Sequence, residues 1–369
     1  MNPVAKRVRK HEALKNEYYN LRPILGFANW AIFYALLGGR EAGKSYSVTD
    51  FMVSQFVNKG RPFVWMRLTE KQAQKLLNNN AEKLVDPDIR RRYDLDLITR
   101  GNNVYSVTRE EVTVKHRDGS ETIERRIKDK KLFARVFALS TFYQDKGSIY
   151  DKDFLKDLGM WYNIALDEFE REKGEKNTFD ILYSLVNQLE NVVRSTKERI
   201  RVFFLGNTLE EASDILCAFN FIPEEFGVFK LKKKRAVIHN IEPTDAYKAR
   251  RKGTIADILM PTASTFTNKI ESDKTLITKK RLVEPSMILK FSRQKSSWFT
   301  VWDSNVIKKY CNEKKPVVAM RPYLDEVYQP DIAKEMIRLF DMRSFLFTNM
   351  ITFKEFQKQV ELLVPRRNG

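Results

Sequence analysis

Gly38-Gly39-Arg40-Glu41-Ala42-Gly43-Lys44-Ser45 follows the spacing G-x-x-x-x-G-K-[ST], a pattern suited to holding phosphate. Phosphate oxygens must come close to backbone N–H groups, and side chains at Gly38 and Gly43 would stand in the way. An apolar, strand-like run precedes the loop and a helical pattern, Tyr46–Val57, follows it. The helix therefore opens with free N–H groups and the positive end of its dipole toward an anion. Lys44 is suited to neutralising the β- and γ-phosphates, and the Ser45 hydroxyl to ligating Mg²⁺. Residues Gly38 to Tyr46 thus predict a nucleoside triphosphate site using ATP and Mg²⁺.

A second constellation lies downstream. Trp161-Tyr162-Asn163-Ile164-Ala165-Leu166-Asp167-Glu168 reads as a buried strand ending in two adjacent carboxylates. Asp167 is expected to hold the metal, and Glu168 to polarise an attacking water, which points to hydrolysis rather than binding alone. The next strand, Arg201–Gly206, runs into Asn207, an amide placed to sense a γ-phosphate. Between the two strands, Arg194 and Arg199 are candidates for reaching a neighbouring subunit's nucleotide, whereas Arg40 is a candidate for contacting the subunit's own nucleotide from within the loop. Lys71 and Lys146 follow or precede strand ends where an α/β ATPase meets its substrate, and are expected to touch a DNA backbone.

These residues need a scaffold that brings distant segments to one edge. From about residue 30 to 206, apolar runs alternate with helical patterns, the signature of an α/β domain with a parallel sheet. The runs are 31–37, 62–67, 132–140, 162–166 and 201–205. Asn103–Thr108 and Glu111–Lys115, with a turn at 116–120, predict an antiparallel insertion. Residues 180–193 have helical spacing, and 243–252 predict a short linker helix. Farther on, Met287–Phe291 and Trp298–Trp302 resemble a hairpin, Asp331–Met342 a helix, Phe345–Thr348 a strand and Phe353–Leu363 a last amphipathic helix. The expected division is an ATPase domain at 1–225, a basic linker at 226–258 and a smaller α+β domain at 259–369.

The chain has 66 Lys+Arg against 48 Asp+Glu, a formal net charge of +18 over 369 residues. The excess is one-sided: residues 226–369 hold 29 basic and 15 acidic side chains, whereas 1–225 are nearly balanced at 37 and 33. A field of that sign attracts a polyanion. Lys232, Lys233, Lys234 and Arg235, then Arg250, Arg251 and Lys252, are the expected nucleic-acid contacts. Two cysteines, Cys217 and Cys311, exclude a disulfide framework. The longest apolar run, 30–37, is far below the ~20 residues of a membrane span, so the reading is a soluble intracellular protein without a membrane partner.

In their order, GGREAGKS, the strand ending LDEFEREK and the segment KERIRVFFLGNT resemble the DNA-packaging ATPases of small, protein-primed, short-tailed bacteriophages. The DEFEREK continuation and the overall layout carry the likeness most. The resemblance implies a P-loop core of the additional-strand, catalytic-glutamate class, with a C-terminal domain resembling a degenerate RNase H-like nuclease. It implies a homomeric ring, a pentamer, at the portal (connector) vertex of a procapsid in the host cytoplasm, moving double-stranded DNA and touching a prohead RNA. The family's trans-acting arginine falls near Arg194. Carboxylates for a working nuclease are sparse, with Asp303 in the hairpin and Asp325, Glu326 and Asp341 scattered beyond. Two other readings stay open: an ATP-dependent helicase or other remodelling ATPase, and a non-motor factor using ATP to control assembly.

Overall fold

The computed structural model describes residues 18–115, 121–141, 162–170, 179–193, 200–207, 213–223, 225–259, 276–278, 285–290, 298–302, 317–320 and 330–363. In chain order, helix α1 (Arg22–Phe27) leads to strand β1 (Phe33–Leu37), α2 (Lys44–Lys59), β2 (Phe63–Arg67), α3 (Glu70–Ala81) and α4 (Pro87–Tyr93). Then come β3 (Leu97–Arg100), β4 (Asn103–Lys115), β5 (Glu121–Ala138), β6 (Tyr162–Asp167), α5 (Ile181–Val193) and β7 (Ile200–Gly206). After α6 (Asp214–Ala218) follow β8 (Gly227–Leu231), β9 (Ala236–Asn240), α7 (Asp245–Arg251) and α8 (Ile255–Leu259). The C-terminal part holds β10 (Pro285–Lys290), β11 (Trp298–Trp302), β12 (Val317–Met320), α9 (Pro330–Asp341), β13 (Leu346–Phe347) and α10 (Met350–Leu363).

The chain forms two compact units, residues 1–209 with 223–270, and 210–222 with 271–369. The first is built on a nine-stranded sheet ordered β3-β4-β5-β2-β6-β7-β1-β9-β8. Its middle six strands are parallel. Parallel strands are covered on both faces and so read as unbroken apolar runs. Every residue of β6 is buried, and so are four of the five in β1. Aromatic rings lock the layers, with Tyr34 and Phe203 5.3 Å apart and Phe133 4.9 Å from Phe56. Helix α3 starts on a reciprocal cap, in which the Thr69 hydroxyl accepts from Gln72 N–H and the Gln72 amide accepts from Thr69 N–H.

Two segments differ from the sequence reading. The antiparallel insertion is continuous with the core: β5 runs for 18 residues, pairing first with β4 and, at Ala134–Ala138, with β2. Beyond Thr108 and Asp129 the two strands pair only with each other, as a ribbon of charged residues such as Glu111 and Arg125. Charge on such an edge discourages unwanted strand pairing. The segment 226–258, expected to be a linker, supplies β8 and β9, and β9 is hydrogen-bonded alongside β1. Its apolar core-facing residues, Val237 and Ile238 among them, are fully buried. The Lys-rich charge in front of them masks a short buried strand.

The second unit is a four-stranded mixed sheet ordered β10-β11-β12-β13, with an aromatic core of Phe299, Phe345, Phe347 and Phe356. Its hairpin and helices fall where the periodicity predicts, while the strand at Phe345–Thr348 shortens to two residues. No described helix is long and apolar enough to cross a membrane.

Candidate active site

The strand order explains how the site assembles. Strands β1, β7, β6 and β2 lie side by side and point the same way. Their C-terminal ends therefore present residues 38–43, Asn207, Asp167 with Glu168, and Arg67 along one edge. Ligands of open α/β sheets bind there.

The loop itself is rigidly held. Gly43 adopts φ 89°, and a Cβ there would come within 2.9 Å of Tyr18. Glycine is thus required by backbone conformation and by the close approach of the preceding segment. Tyr19 N–H donates to the Ala42 carbonyl at 2.9 Å, and Leu21 N–H to the Ser47 hydroxyl at 2.9 Å. Lys44 is buried, and its ammonium donates to the carbonyls of Gly38 and Gly39 at 2.7 and 2.8 Å. Burial pushes its pKa down to about 8, against the raising influence of Asp167 and Glu168. A buried cation within a cradle of backbone groups fits an anionic phosphate chain.

The two residues expected to ligate a metal also meet. Ser45 Oγ donates to Asp167 Oδ1 at 3.2 Å, joining residues far apart in sequence. A hydroxyl and a carboxylate at a phosphate site suit Mg²⁺, which takes few protein oxygens and keeps water or phosphate in its other positions. Asp167 is buried, which holds its carboxyl above the usual carboxylate range. Glu168 is more open and has φ 52°, a left-handed conformation uncommon outside glycine. Its N–H donates to the Leu205 carbonyl at 2.8 Å. Asn207 is half-buried and directly follows β7 between the two motif strands. Gly206 beneath it has no room for a side chain, since a Cβ would meet Phe169 at 2.7 Å.

Arg67 is the residue at this edge that sequence reasoning missed. At the end of β2 its guanidinium bonds Asp167 Oδ2 at 2.8 Å and also pairs with Glu168 Oε2. One planar fork thereby ties the metal-side carboxylate to its neighbour. The only signal was an arginine ending an otherwise buried strand, and pairing order was needed to aim it.

Arg250 and Arg251, expected to meet nucleic acid, both reach the phosphate loop in the fold. Ile241 N–H donates to the Leu37 carbonyl at 2.8 Å, so the chain leaving β9 stays beside β1 as far as Gly38 at the start of the loop. Helix α7 then places Tyr247 OH on the Arg40 carbonyl at 2.9 Å and Arg250 on the Glu41 carbonyl at 2.8 Å. Arg251 pairs with the Glu41 carboxylate at 3.1 Å. Glu41 is itself left-handed, at φ 64°, and these contacts hold it. The Arg250 guanidinium lies 4.4 Å from the Tyr18 ring centre, closing a clasp between both chain segments.

The remaining expected residues divide by place. Arg40 is exposed on the loop, and Tyr46 in the first turn of α2 turns its hydroxyl to Asp88 at 2.8 Å. Lys71 is exposed near the same sheet edge, Lys252 is exposed at the end of α7, and Lys232 to Arg235 are exposed at the β8–β9 turn. Lys146, Arg194 and Arg199 lie outside the described residues, as do Asp303, Asp325 and Glu326. Among the described residues no group of three or more His, Cys, Asp or Glu side chains forms a further metal site.

The clasp has a measurable acid sensitivity. His239 on β9 lies against Tyr19, the two rings tilted by 59°, with Nδ1 3.4 Å from the hydroxyl. Burial pushes its pKa down to about 4. An unfolded histidine titrates near 6.5. The unfolded chain therefore binds the extra proton first, and stability falls as pH drops from about 6.5 toward 4. Between pH 7.5 and pH 5 this group should cost about 2 kcal/mol. Urea unfolding of His239→Gln should lack that share of the pH dependence; an identical pH profile would contradict it.

No protein-family profile matches the sequence. Known structures do. The phage Phi-28 DNA packaging motor superposes with a TM-score of 0.60 at 15% identity, covering 96% of this chain and 100% of that one. This chain shares the fold of a phage DNA-packaging motor. The bacteriophage Phi-29 viral genome packaging motor assembly gives a TM-score of 0.54 at 19% identity, covering 93% and 99%. In sequence, the DNA packaging proteins of Bacillus phages phi29 and PZA are 23% identical over 212 residues, 57% of this chain and 52% of theirs. The chain spans about half the length of these curated relatives in that match.

Proposed function

We propose that this protein is the ATP-hydrolysing subunit of a motor that packages double-stranded viral DNA into a preformed capsid. The observation that carries the chemistry is one sheet edge uniting the phosphate loop, the Ser45–Asp167 pair and Glu168. The packaging role rests on likeness to packaging motors over nearly the whole chain. Bound there, Mg²⁺-ATP would supply the phosphoanhydride whose cleavage drives the cycle. Lys44 Nζ balances phosphate charge, while Ser45 Oγ and Asp167 hold the metal. Glu168 accepts the proton of the attacking water on its carboxylate. Arg67 pairs with Glu168 Oε2, which leaves Oε1 as the oxygen to take the proton.

In this reading the subunits form a ring, a pentamer, at the portal vertex in the host cytoplasm, with duplex DNA and a prohead RNA as partners. Arg194 or Arg199 reaches the neighbour's nucleotide, Asn207 reports the γ-phosphate, and Lys71 and Lys146 touch DNA. The second unit serves binding rather than cutting, in keeping with residues 271–369, where 19 basic side chains face 12 acidic ones.

The testing assay compares ATP hydrolysis by the protein alone, with duplex DNA, with structured RNA and with empty capsids. Strong stimulation only by capsids plus DNA is expected. Unwinding of a tailed duplex without capsids would instead make it a helicase. Lys44→Ala should weaken ATP binding at least tenfold by calorimetry, since charged hydrogen bonds contribute roughly 1.5–3 kcal/mol; unchanged affinity would refute the phosphate-loop assignment.

A further inference from the structure

Helix α7 presents three polar side chains to the phosphate loop because of their spacing. Tyr247, Arg250 and Arg251 stand at i, i+3 and i+4, which puts them on one face of the helix. The helix starts where the Thr244 hydroxyl accepts from Tyr247 N–H at 3.1 Å. Just before it, Ile241 packs so closely on Gly38 that a Cβ on that glycine would meet the Ile241 Cβ at 3.3 Å. These two contacts fix the start of α7 against the loop, and Tyr247 is only 4% exposed there.

Three consecutive carbonyls of the loop are held from outside it. The Arg40 carbonyl accepts from Tyr247 OH at 2.9 Å, the Glu41 carbonyl from the Arg250 guanidinium at 2.8 Å, and the Ala42 carbonyl from Tyr19 N–H at 2.9 Å. The donors form one cluster, since the Arg250 guanidinium lies 4.4 and 5.6 Å from the ring centres of Tyr18 and Tyr247. In a planar trans peptide the C=O of one residue and the N–H of the next point in opposite directions. Holding the carbonyls of Arg40, Glu41 and Ala42 on the cluster side therefore turns the N–H groups of Glu41, Ala42 and Gly43 away from it. Ala42 N–H shows the direction: it donates to the Gly39 carbonyl at 3.4 Å, the same oxygen that accepts from Lys44 Nζ. Successive N–H groups turned toward a buried lysine make an anion-binding concavity. Glu41 keeps its left-handed φ of 64° within this arrangement, a conformation that an unbraced glutamate readily leaves.

We infer that Tyr247 and Arg250 are positioning residues for the triphosphate: they brace the loop from its outer side and so aim its backbone N–H groups at the phosphates. This role rests on the nucleotide reading of the loop and extends it to side chains 207 and 209 positions from the carbonyls they hold. Arg251 differs, because it meets the loop through the Glu41 carboxylate at 3.1 Å, on a side chain 67% exposed. Water weakens such a pair, and its share in aiming the backbone is small. The rival role for the cluster is stacking of its rings and guanidinium on a nucleobase, which would leave binding of a bare polyphosphate unmoved.

Calorimetric titration of the full chain with Mg²⁺-ATP, alone and in competition with inorganic tripolyphosphate, separates the two roles. Tyr247→Phe keeps the ring and removes one hydroxyl, and should weaken ATP binding roughly threefold, as loss of a neutral hydrogen bond does. Arg250→Met removes a charged one and should weaken it roughly tenfold. Both should weaken tripolyphosphate by the same factors, because the loop N–H groups are aimed at phosphate rather than base. Arg250→Lys should recover most of the affinity, since an ammonium still reaches the Glu41 carbonyl. Arg251→Met, an equally large truncation on the same helix, should stay within about twofold of wild type, which guards against a general folding defect. Turnover at saturating ATP should also stay within about twofold in each variant, a rise in KM without a fall in kcat. Unchanged affinity for both ligands in Tyr247→Phe and Arg250→Met would overturn the inference. So would weakened ATP with unchanged tripolyphosphate, which would assign the cluster to the base. An equal loss in Arg251→Met would also overturn it, reducing the brace to the stability of α7. Wild-type protein that binds neither ligand would instead remove the phosphate-loop reading itself, and this role with it.

Discussion

Glu168→Gln should leave ATP bound with nearly wild-type affinity while slowing hydrolysis by about 10²–10⁴-fold, the usual contribution of a positioned general base. The substitution keeps the shape of the side chain and removes its capacity to take a proton. Glu168 lies beyond the buried end of β6, is more open than Asp167, and touches neither Lys44 nor Ser45 in any described hydrogen bond. Binding and turnover should therefore separate. Calorimetric titration with ATP and a single-turnover phosphate-release assay measure the two arms. A parallel loss of both would assign Glu168 to holding nucleotide, and retained hydrolysis would remove it from the base role.

Arg67→Ala should destabilise the folded chain by about 3 kcal/mol, because removing one partner strands a buried charge. Both side chains of the Arg67–Asp167 pair are largely shielded from water, at 14% and 8% exposure. Asp167→Asn should offset part of that cost, since the neutral amide no longer requires a counter-charge. The double variant should then be more stable than the sum of the single losses predicts, by more than about 1 kcal/mol. Urea unfolding of the four proteins completes the cycle, and strict additivity would mean that the fork seen at the sheet edge is energetically idle. Arg67→Lys tests the geometry: a single ammonium lacks the planar fork that bonds two carboxylates at once.

The candidate nucleotide site was legible in sequence because its residues are compressed into contiguous stretches with fixed local roles. The loop, the following helix and the apolar strand before Asp167 need only neighbours to be recognised. Arg67 was not legible because its partners lie a hundred residues away and come into reach only when β2 pairs with β6. The part of Gly43 that sequence left out is steric: Tyr18 packs so closely that a side chain there would collide. The loop contacts of Arg250 and Arg251 were hidden for a related reason. A run of arginines after a lysine cluster reads as polyanion surface, and only the β1–β9 pairing turns them onto the Glu41 backbone and carboxylate. Residues 236–240 escaped as a strand because five residues carry too little periodicity beside so much charge.

ATP-dependent protection of DNA from nuclease by empty portal-bearing capsids tests the central claim most directly. Wild-type protein with ATP should yield capsid-protected duplex DNA, whereas Glu168→Gln, or wild type with a non-hydrolysable analogue, should yield none. Equal protection without hydrolysis, or no protection by a wild-type protein that is turning over ATP with capsids and DNA present, would contradict a packaging motor driven from this sheet edge.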